Sequence, residues 1–339
     1  MTLEEMRAGG HEQVRYFRDE ATGLEAIVAI NDTRLGPAVG GTRLWDYEDE
    51  AAALDDALRL SRAMAYKCAA AGLDYGGGKG VILAAPAEKT DDLLRAYGEC
   101  IDTFGGSFVT GEDVNVDVAD LRVVGETTDY VGGSEEHGID ATATGVRHGI
   151  TACLAATRDS PSLDGVSVVV QGAGKVGSTL VGQLAARGAE VTVADIDDDR
   201  VDRLVADHGV RAVDPEAVYA QPCDVFAPCA LGGVLDDETI PQLDCEVVCG
   251  SANNQLAERR HADALAERDV LYAPDYVVNA GALIAGTVEA EGGTTESAYE
   301  AVAAIGDRLR DLLATAREEG ITPVEAADRY AEERMRAAE

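Results

Sequence analysis

Basic residues are scarce in this chain of 339 residues. It contains 28 lysines and arginines against 63 aspartates and glutamates, so its formal net charge at pH 7 is −35. Such an acidic surface repels phosphate backbones and anionic lipid headgroups, which excludes nucleic acids and membrane surfaces as partners. The acidic residues are spread along the whole chain, as expected in a salt-rich cytoplasm where ions screen the self-repulsion. We therefore expect a halophilic protein that loses stability at low salt.

Long apolar runs are also missing. No stretch of eighteen apolar residues is present, so no membrane-spanning helix is predicted. The N-terminus has neither the basic nor the apolar region of a signal peptide, which predicts a cytoplasmic protein. The seven cysteines form an odd number, and their spacing matches no zinc pattern. We therefore expect core thiols, with no disulfide framework and no metal site. The length and the hydrophobic content of 46% allow two domains, each with its own core.

Lysine is the rarest basic residue, and two of its four copies flank one glycine-rich segment. The four lysines are Lys67, Lys79, Lys89 and Lys175. An amphipathic pattern from Glu50 predicts a helix with Lys67 in its last turn. Residues 76–78 are all glycine and predict a loop that brings the backbone close to a small molecule just before Lys79. Burial, or a second ammonium nearby, lowers the pKa of lysine, so one of this pair can serve as a base. The alternative is a solvated helix end followed by a flexible turn.

Two further segments carry candidate residues in the first half of the chain. Residues 36–45 predict a glycine-punctuated loop or an edge strand, in which Gly40 and Gly41 follow the apolar Val39 and line a small pocket. A strand predicted over residues 107–110 leads to Asp113. A carboxylate just after the end of a strand is well placed to take part in catalysis. Asp113 has an alternative role as a turn residue or as the cap of a following helix. The glycine-rich and acidic residues 132–140 predict a domain boundary.

The second half contains a GxGxxG pattern in a favourable context. A buried strand over residues 166–171 leads into Gly172, Ala173, Gly174, Lys175, Val176 and Gly177, and then into a helix. The next strand ends at Asp195. This arrangement predicts a dinucleotide pyrophosphate at the helix N-terminus and a ribose 2′-hydroxyl on Asp195. Because the acid repels a 2′-phosphate, NAD is favoured over NADP.

Further βα alternation predicts that the second half is a Rossmann-type, doubly wound sheet. Strands are predicted at residues 224–226, 246–248 and 270–272. Amide side chains follow two of them, at Asn253, Asn254 and Asn279. The carboxyl ends of such strands face the ligand, so these amides are candidates for binding. Capping of the following helices is the alternative for one of the three.

Together these motifs resemble the Glu/Leu/Phe/Val dehydrogenase superfamily of amino acid dehydrogenases, and most closely its leucine, valine and phenylalanine branch. The resemblance runs from about residue 12 to residue 335. It implies an α/β protein of two domains, a substrate-binding domain over residues 1–139 and a Rossmann NAD-binding domain over residues 140–321. It also implies that a C-terminal helix, 322–339, joins the first domain, and that the chain forms a homo-oligomer.

The resemblance implies a role for each candidate residue. Lys79 is the general base, Asp113 assists proton transfer, and Lys67 holds the α-carboxylate of the substrate. The remaining substrate contacts implied are Val39, Gly40, Gly41, Met64 and Asn279. The cofactor contacts implied are Gly172, Ala173, Gly174, Lys175, Val176, Gly177, Asp195, Ile196, Arg43, Thr142, Ala230, Ala252, Asn253 and Asn254.

The implied reaction is the reversible, NAD-dependent oxidative deamination of an L-amino acid to its 2-oxo acid and ammonium. In glutamate dehydrogenases a lysine stands at the position of Val39, and an apolar side chain there leaves a substrate carboxylate unpaired. Leucine, valine and isoleucine are therefore expected as substrates. Phenylalanine, other aromatic amino acids and glutamate are the alternatives, because one or two methylenes are worth only ~1–3 kcal/mol.

Two other functions fit the residues of this sequence less well. A hydroxy-acid dehydrogenase usually needs a histidine as acid and base, and all five histidines lie outside the motifs. A non-catalytic NAD-sensing protein is expected to have lost Lys79 or Asp113, and both residues are present. The sequence therefore favours an enzyme.

Overall fold

The chain folds into two compact units. The first spans Met1–Glu135 and includes Tyr330–Glu339, and the second spans Glu136–Arg329. The computed structural model describes residues 3–132, 135–158 and 160–338. Residues 133–134 of the predicted boundary segment, and the first two residues of the chain, lie outside the described residues. The predicted domain limits at 139/140 and 321/322 lie near the limits of the units and stay predictions.

A mixed five-stranded sheet forms the centre of the first unit. Its strands are β1 (Gln13–Asp19), β2 (Leu24–Asp32), β3 (Ala38–Trp45), β4 (Gly76–Leu83) and β5 (Phe108–Gly111). Their spatial order is β1-β2-β4-β3-β5. Strands β1 and β2 form an antiparallel hairpin, and β3 runs parallel to both β4 and β5. Strand β3 thus lies inside the sheet, so the prediction of a loop or an edge strand at residues 36–45 is wrong.

The first unit also contains helices, one of which begins at the predicted Glu50. They are α1 (Leu3–Gly9), α2 (Glu50–Ala70), α3 (Asp91–Asp102) and α4 (Val118–Val124). Helix α2 begins where the Asp49 side chain accepts a hydrogen bond from the Ala52 N–H at 2.8 Å. The face that it buries consists mainly of small residues, among them Ala53, Ala57 and Ala65. Small side chains on this face allow a close approach between the helix and the sheet.

The glycines of residues 76–78 belong to strand β4, so the predicted loop is wrong. Packing explains why the strand needs them. A Cβ atom on Gly77 would lie 2.0 Å from the backbone nitrogen of Ala65 in α2. One on Gly78 would lie 2.6 Å from the Phe108 ring. The glycines therefore let a helix and an aromatic ring contact the strand backbone directly.

The second unit contains a parallel six-stranded sheet of the predicted Rossmann type. Its strands are β6 (Ser167–Gln171), β7 (Glu190–Ala194), β8 (Arg211–Ala212), β9 (Val225–Pro228), β10 (Val247–Val248) and β11 (Leu271–Tyr272). The spatial order is β11-β10-β9-β6-β7-β8, with every pair parallel. This is the doubly wound order. The strands follow one another outward in both directions from the pair β6 and β9, where the order of the strands along the chain reverses. The predicted fold class is therefore confirmed.

Helices connect these strands and complete the chain. They are α5 (Glu135–Thr157), α6 (Lys175–Ala185), α7 (Asp198–His208), α8 (His261–Ala266), α9 (Asp275–Val278), α10 (Gly281–Ala290), α11 (Thr295–Glu319) and α12 (Pro323–Ala337). Within the described ranges, none of the helices combines the length and apolarity needed to cross a membrane. The seven cysteines are free thiols, three of them buried.

Candidate active site

Lys79 is a buried lysine on an interior strand. It lies on β4, between β2 and β3, and only 5% of the residue is exposed. Its Nζ atom donates to Oδ2 of Asp113 at 2.6 Å. Burial removes the ammonium group from water, which penalises its charged form.

Asp113 follows strand β5 in a tight turn. Its backbone N–H donates to the Val116 carbonyl at 3.2 Å, and the Val116 N–H donates back at 3.0 Å. The cap of helix α4 is Asp117, whose side chain accepts from the Asp120 N–H at 3.0 Å. The alternative role of Asp113 as a helix cap is therefore wrong, whereas its position in a turn is confirmed. Its carboxylate contacts Lys79.

Lys79 and Asp113 shift each other's pKa, and burial acts on the pKa of both. Burial lowers the pKa of Lys79 below its ordinary value of 10.5, and this effect outweighs the opposing attraction of Asp113. Burial also acts to raise the pKa of Asp113, but the ion pairs with Lys79 and Arg43 hold it below its usual range. The pair thus combines an ionised carboxylate with a lysine that loses its proton more easily than a free lysine.

Arg43 and Asp56 extend this pair into a network. Nε of Arg43 donates to Oδ2 of Asp113 at 2.9 Å, and its Nη1 atom donates to Oδ2 of Asp56 at 2.9 Å. The Tyr47 hydroxyl donates to the same oxygen of Asp56 at 2.7 Å. Asp56 and Tyr47 were not among the residues predicted from the sequence. They belong to no motif, and only the tertiary structure brings them to the site.

The predicted substrate contacts of the first unit lie on β3 and α2. Lys67 occupies the last turn of α2, as predicted, and is half-buried. Met64 lies one turn earlier and is also half-buried, and Val39 in β3 is 8% exposed. Gly40 and Gly41 allow close packing. A Cβ atom on Gly40 would lie 1.8 Å from the Gly78 carbonyl oxygen, and one on Gly41 would lie 2.3 Å from that of Glu112. Their contacts with substrate stay predictions.

Helix α12, near the C-terminus, contacts the segment that follows Lys67. Arg334 in α12 donates to the carbonyl oxygens of Ala69 and Leu73 at 2.9 and 3.2 Å. It also forms an ion pair with Asp74 at 2.7 Å. Because the last carbonyls of a helix lack intrahelical donors, this arginine stabilises the end of α2. A C-terminal helical segment thus supports the position of Lys67.

The glycine loop between β6 and α6 fits a dinucleotide pyrophosphate. Gly172 has φ +108°, which favours glycine, and a Cβ there would lie 2.8 Å from the Ala230 nitrogen. A Cβ on Gly177 would lie 2.0 Å from the Gly172 carbonyl oxygen. At Gly174, the N-cap of α6, a Cβ would meet open space, and no described side chain caps this helix. The N–H groups at Lys175 and Val176 are therefore available to an anion.

Asp195 joins the end of β7 to this loop. Its Oδ2 atom accepts from the Ala173 N–H at 2.6 Å, and its Oδ1 atom accepts from the Asp197 N–H at 2.9 Å. The next residue, Ile196, is 93% exposed. A carboxylate beside the loop, followed by an exposed apolar side chain, fits an adenosine ribose and its base.

The predicted amides lie near the carboxyl ends of β9 and β10. The Asn279 side chain is buried and donates to Oδ1 of Asn253 at 2.9 Å. Asn254 has φ +52°, and the Ala252 N–H donates to the carbonyl of Pro228, the last residue of β9, at 3.0 Å. The caps that open the following helices α8 and α10 are Arg260 and Ala280. The alternative in which one of the amides caps a following helix is therefore wrong.

Thr142 lies inside helix α5 of the same unit and is 9% exposed. Its hydroxyl donates to the Gly138 carbonyl at 2.9 Å and accepts from the Ala282 N–H at 3.2 Å. These bonds fix its side chain. Contact between Thr142 and the cofactor stays a prediction.

A glycine loop that fits a dinucleotide in one unit and a buried lysine of lowered pKa in the other are features of a dehydrogenase that uses a nicotinamide dinucleotide. The family model for the Glu/Leu/Phe/Val dehydrogenase dimerisation domain matches residues 11–131, and that for Glutamate/Leucine/Phenylalanine/Valine dehydrogenase matches residues 195–338. The chain belongs to this family of amino acid dehydrogenases.

Proteins of known activity resemble the chain over nearly its full length. A leucine dehydrogenase of Bacillus subtilis (strain 168) is 46% identical, with 96% of this chain and 91% of the relative covered. A valine dehydrogenase of Streptomyces virginiae is 46% identical, with 98% and 96% covered. The crystal structure of L-tryptophan dehydrogenase from Nostoc punctiforme has a TM-score of 0.92 at 43% identity, covering 100% of this chain and 99% of that chain.

Proposed function

We propose that this dehydrogenase catalyses the reversible, NAD-dependent oxidative deamination of leucine, valine and isoleucine to their 2-oxo acids and ammonium. The observation that carries the proposal is the buried contact of 2.6 Å between Lys79 and Asp113. It supplies a lysine of lowered pKa beside an ionised carboxylate, which is what a proton acceptor in this reaction needs.

Each side chain then has a chemical task. Neutral Lys79 removes a proton from the water that attacks the iminium carbon of the oxidised substrate, and Asp113 exchanges protons with the substrate amine. Lys67 binds the α-carboxylate, which orients Cα. When bound, the dinucleotide accepts the hydride that leaves Cα.

The proposed substrate follows from the character of Val39. This side chain is apolar and 8% exposed, so it offers no partner to the carboxylate of a glutamate side chain. Half-buried Met64 adds a second apolar group. The names of the leucine and valine dehydrogenase relatives support an aliphatic substrate. An aromatic amino acid is the second candidate, because an L-tryptophan dehydrogenase of Nostoc punctiforme is 45% identical to the chain.

We test substrate choice by following NADH absorbance in molar KCl at alkaline pH. The panel contains leucine, valine, isoleucine, phenylalanine, tryptophan and glutamate. We expect the highest kcat/KM with an aliphatic substrate. A maximum with tryptophan or phenylalanine would favour the second candidate, and a maximum with glutamate would contradict the role of Val39. Inactivity with all six substrates, in protein that still binds NADH, would overturn the proposal.

NAD is proposed over NADP because of Asp195. Its carboxylate lies beside the glycine loop, where a 2′-phosphate would meet a like charge. We expect Asp195→Asn to raise the ratio of kcat/KM for NADP to that for NAD about tenfold or more. Asp202→Asn in α7 removes an equal charge from an exposed position and serves as the control. An unchanged ratio in Asp195→Asn would argue against this assignment.

We further propose a cytoplasmic homo-oligomer. The family model that matches residues 11–131 describes a dimerisation domain. The seven free thiols suit a reducing compartment.

A further inference from the structure

We propose that Arg43 is a positioning residue for the reaction. Anchored by Asp56, it shares the Asp113 oxygen that Lys79 binds, and so keeps Asp113 ionised while allowing Lys79 to release its proton. This inference rests on the proposed function, because it takes Lys79 as the base.

The contacts of Asp113 give the first argument. A single oxygen, Oδ2, accepts from Lys79 Nζ at 2.6 Å and from Arg43 Nε at 2.9 Å. Two cationic donors therefore share the negative charge of one carboxylate oxygen. If Asp113 had Lys79 as its only cationic partner, its full charge would hold a proton on that lysine.

The second argument is that Arg43 is fixed at both edges of its guanidinium group. Its Nη1 atom donates to Oδ2 of Asp56 at 2.9 Å, and that oxygen also accepts from the Tyr47 hydroxyl at 2.7 Å. The second oxygen of Asp56 accepts from Arg59 at 2.6 Å. A planar guanidinium can bridge two carboxylates in this way, whereas a lysine presents a single ammonium group.

The charged groups around Lys79 and Asp113 shift the pKa of Lys79 in opposing directions. Arg43 on β3 lowers the pKa of both Lys79 and Asp113, and Asp56 on α2 acts to raise the pKa of Lys79. Tyr47 stays protonated, since burial and its bond to Asp56 raise its pKa. Removing Arg43 therefore takes one cationic partner from each of Asp113 and Asp56. The negative charge of the two carboxylates then favours the protonated form of Lys79 more strongly.

The position of Arg43 also matches a cofactor contact implied by the resemblance to the family. The two roles predict different kinetic changes. Loss of a cofactor contact raises the KM for NAD, whereas loss of a positioning residue lowers kcat and moves the pH dependence.

The test compares Arg43→Gln, Arg43→Lys and Asp56→Asn with the unmodified enzyme, using the amino acid that is its best substrate. We expect Arg43→Gln to lower kcat about 10- to 100-fold and to move the acidic limb of the kcat/KM profile to higher pH, with little change in KM for NAD. Arg43→Lys restores the charge and should return the limb towards its original position. Asp56→Asn keeps Arg43 but loosens it, and should lower kcat by a smaller factor.

Two outcomes overturn the inference: an acidic limb that does not move in Arg43→Gln, or a loss confined to the KM for NAD. Arg18→Gln removes an exposed ion pair on β1 and is the control that should match the unmodified enzyme. If Arg43→Gln does not fold, as judged by circular dichroism, Asp56→Asn decides. A lower kcat with an unchanged KM for NAD supports the inference, and an unchanged kcat or a change confined to the KM for NAD contradicts it. Inactivity of the unmodified enzyme would contradict the proposed function, whereas an active enzyme with unaltered variants contradicts only the role of Arg43.

Discussion

Lys79→Ala is expected to lower kcat by roughly 10²- to 10⁴-fold, the usual contribution of a general base. The variant removes the buried amine that contacts Asp113 at 2.6 Å, whereas the dinucleotide loop belongs to the other compact unit and is unaltered. Affinity for NADH, measured by fluorescence titration, should therefore stay within about twofold of the original, because no interaction of the loop is removed. Retention of most of the activity would show that another group accepts the proton.

Lys79→Arg separates basicity from charge. Arginine keeps a cation near Asp113 but does not lose its proton in proteins. We expect this variant to be about as inactive as Lys79→Ala. Substantial activity in Lys79→Arg would mean that position 79 contributes only a positive charge.

The pH dependence of the unmodified enzyme follows from the same residue. In the proposed reaction Lys79 acts in its neutral form, and the neutral fraction grows as the pH rises through the pKa of the lysine. Because burial lowers this pKa from 10.5, kcat/KM should rise with pH and level off below the pH at which a free lysine would titrate. The pH profile of kcat/KM, measured by initial rates at constant salt, checks this.

Gly77→Ala is expected to lower the free energy of unfolding by about 3 kcal/mol or more, because the new methyl group cannot be accommodated without a backbone shift. The added Cβ would lie 2.0 Å from the nitrogen and 2.4 Å from the Cα of Ala65, so helix α2 has to move away from β4. Since α2 carries Lys67 and β4 carries Lys79, the variant should also lose activity under conditions where it remains folded.

Guanidinium unfolding at constant KCl, followed by circular dichroism, measures this loss. Gly286→Ala in α10 is the matched control, because a Cβ there would meet nothing within 4 Å. This control should be unchanged or gain up to about 1 kcal/mol, as alanine does over glycine inside a helix. If both variants unfold at the same midpoint, the close contact between α2 and β4 does not limit stability.

Local patterns were sufficient for much of the site. The GxGxxG pattern between a strand and a helix, with Asp195 after the next strand, depends only on neighbours in the chain. It predicted a glycine loop between a strand and a helix, and together with the later βα alternation it predicted the doubly wound sheet. The structure contains both features. The scarcity of lysine likewise singled out Lys67 and Lys79 before any contact was known. Such features are visible in a sequence because the turn or helix end that they require is formed by adjacent residues.

The glycines of β4 show where local patterns fail. A run of glycines indicates a close approach of the backbone, but it does not say what approaches. The sequence favoured a loop around a small molecule, whereas helix α2 and the Phe108 ring occupy the space in the structure. The prediction of a loop or an edge strand at residues 36–45 fails for a similar reason. The partners of β3 are β4 and β5, which follow it by many residues.

The sequence by itself determined the fold class, the family and the identity of the paired lysines, because these depend on residue types in local order. Only the tertiary structure decided the burial and the charged neighbours of Lys79, the proposed base. Asp113 lies 34 residues from Lys79 and 70 residues from Arg43 along the chain, and the strand order β4-β3-β5 brings all three together. Burial and charge sharing set the pKa of Lys79, and both are properties of distances in space that separation along the chain does not specify.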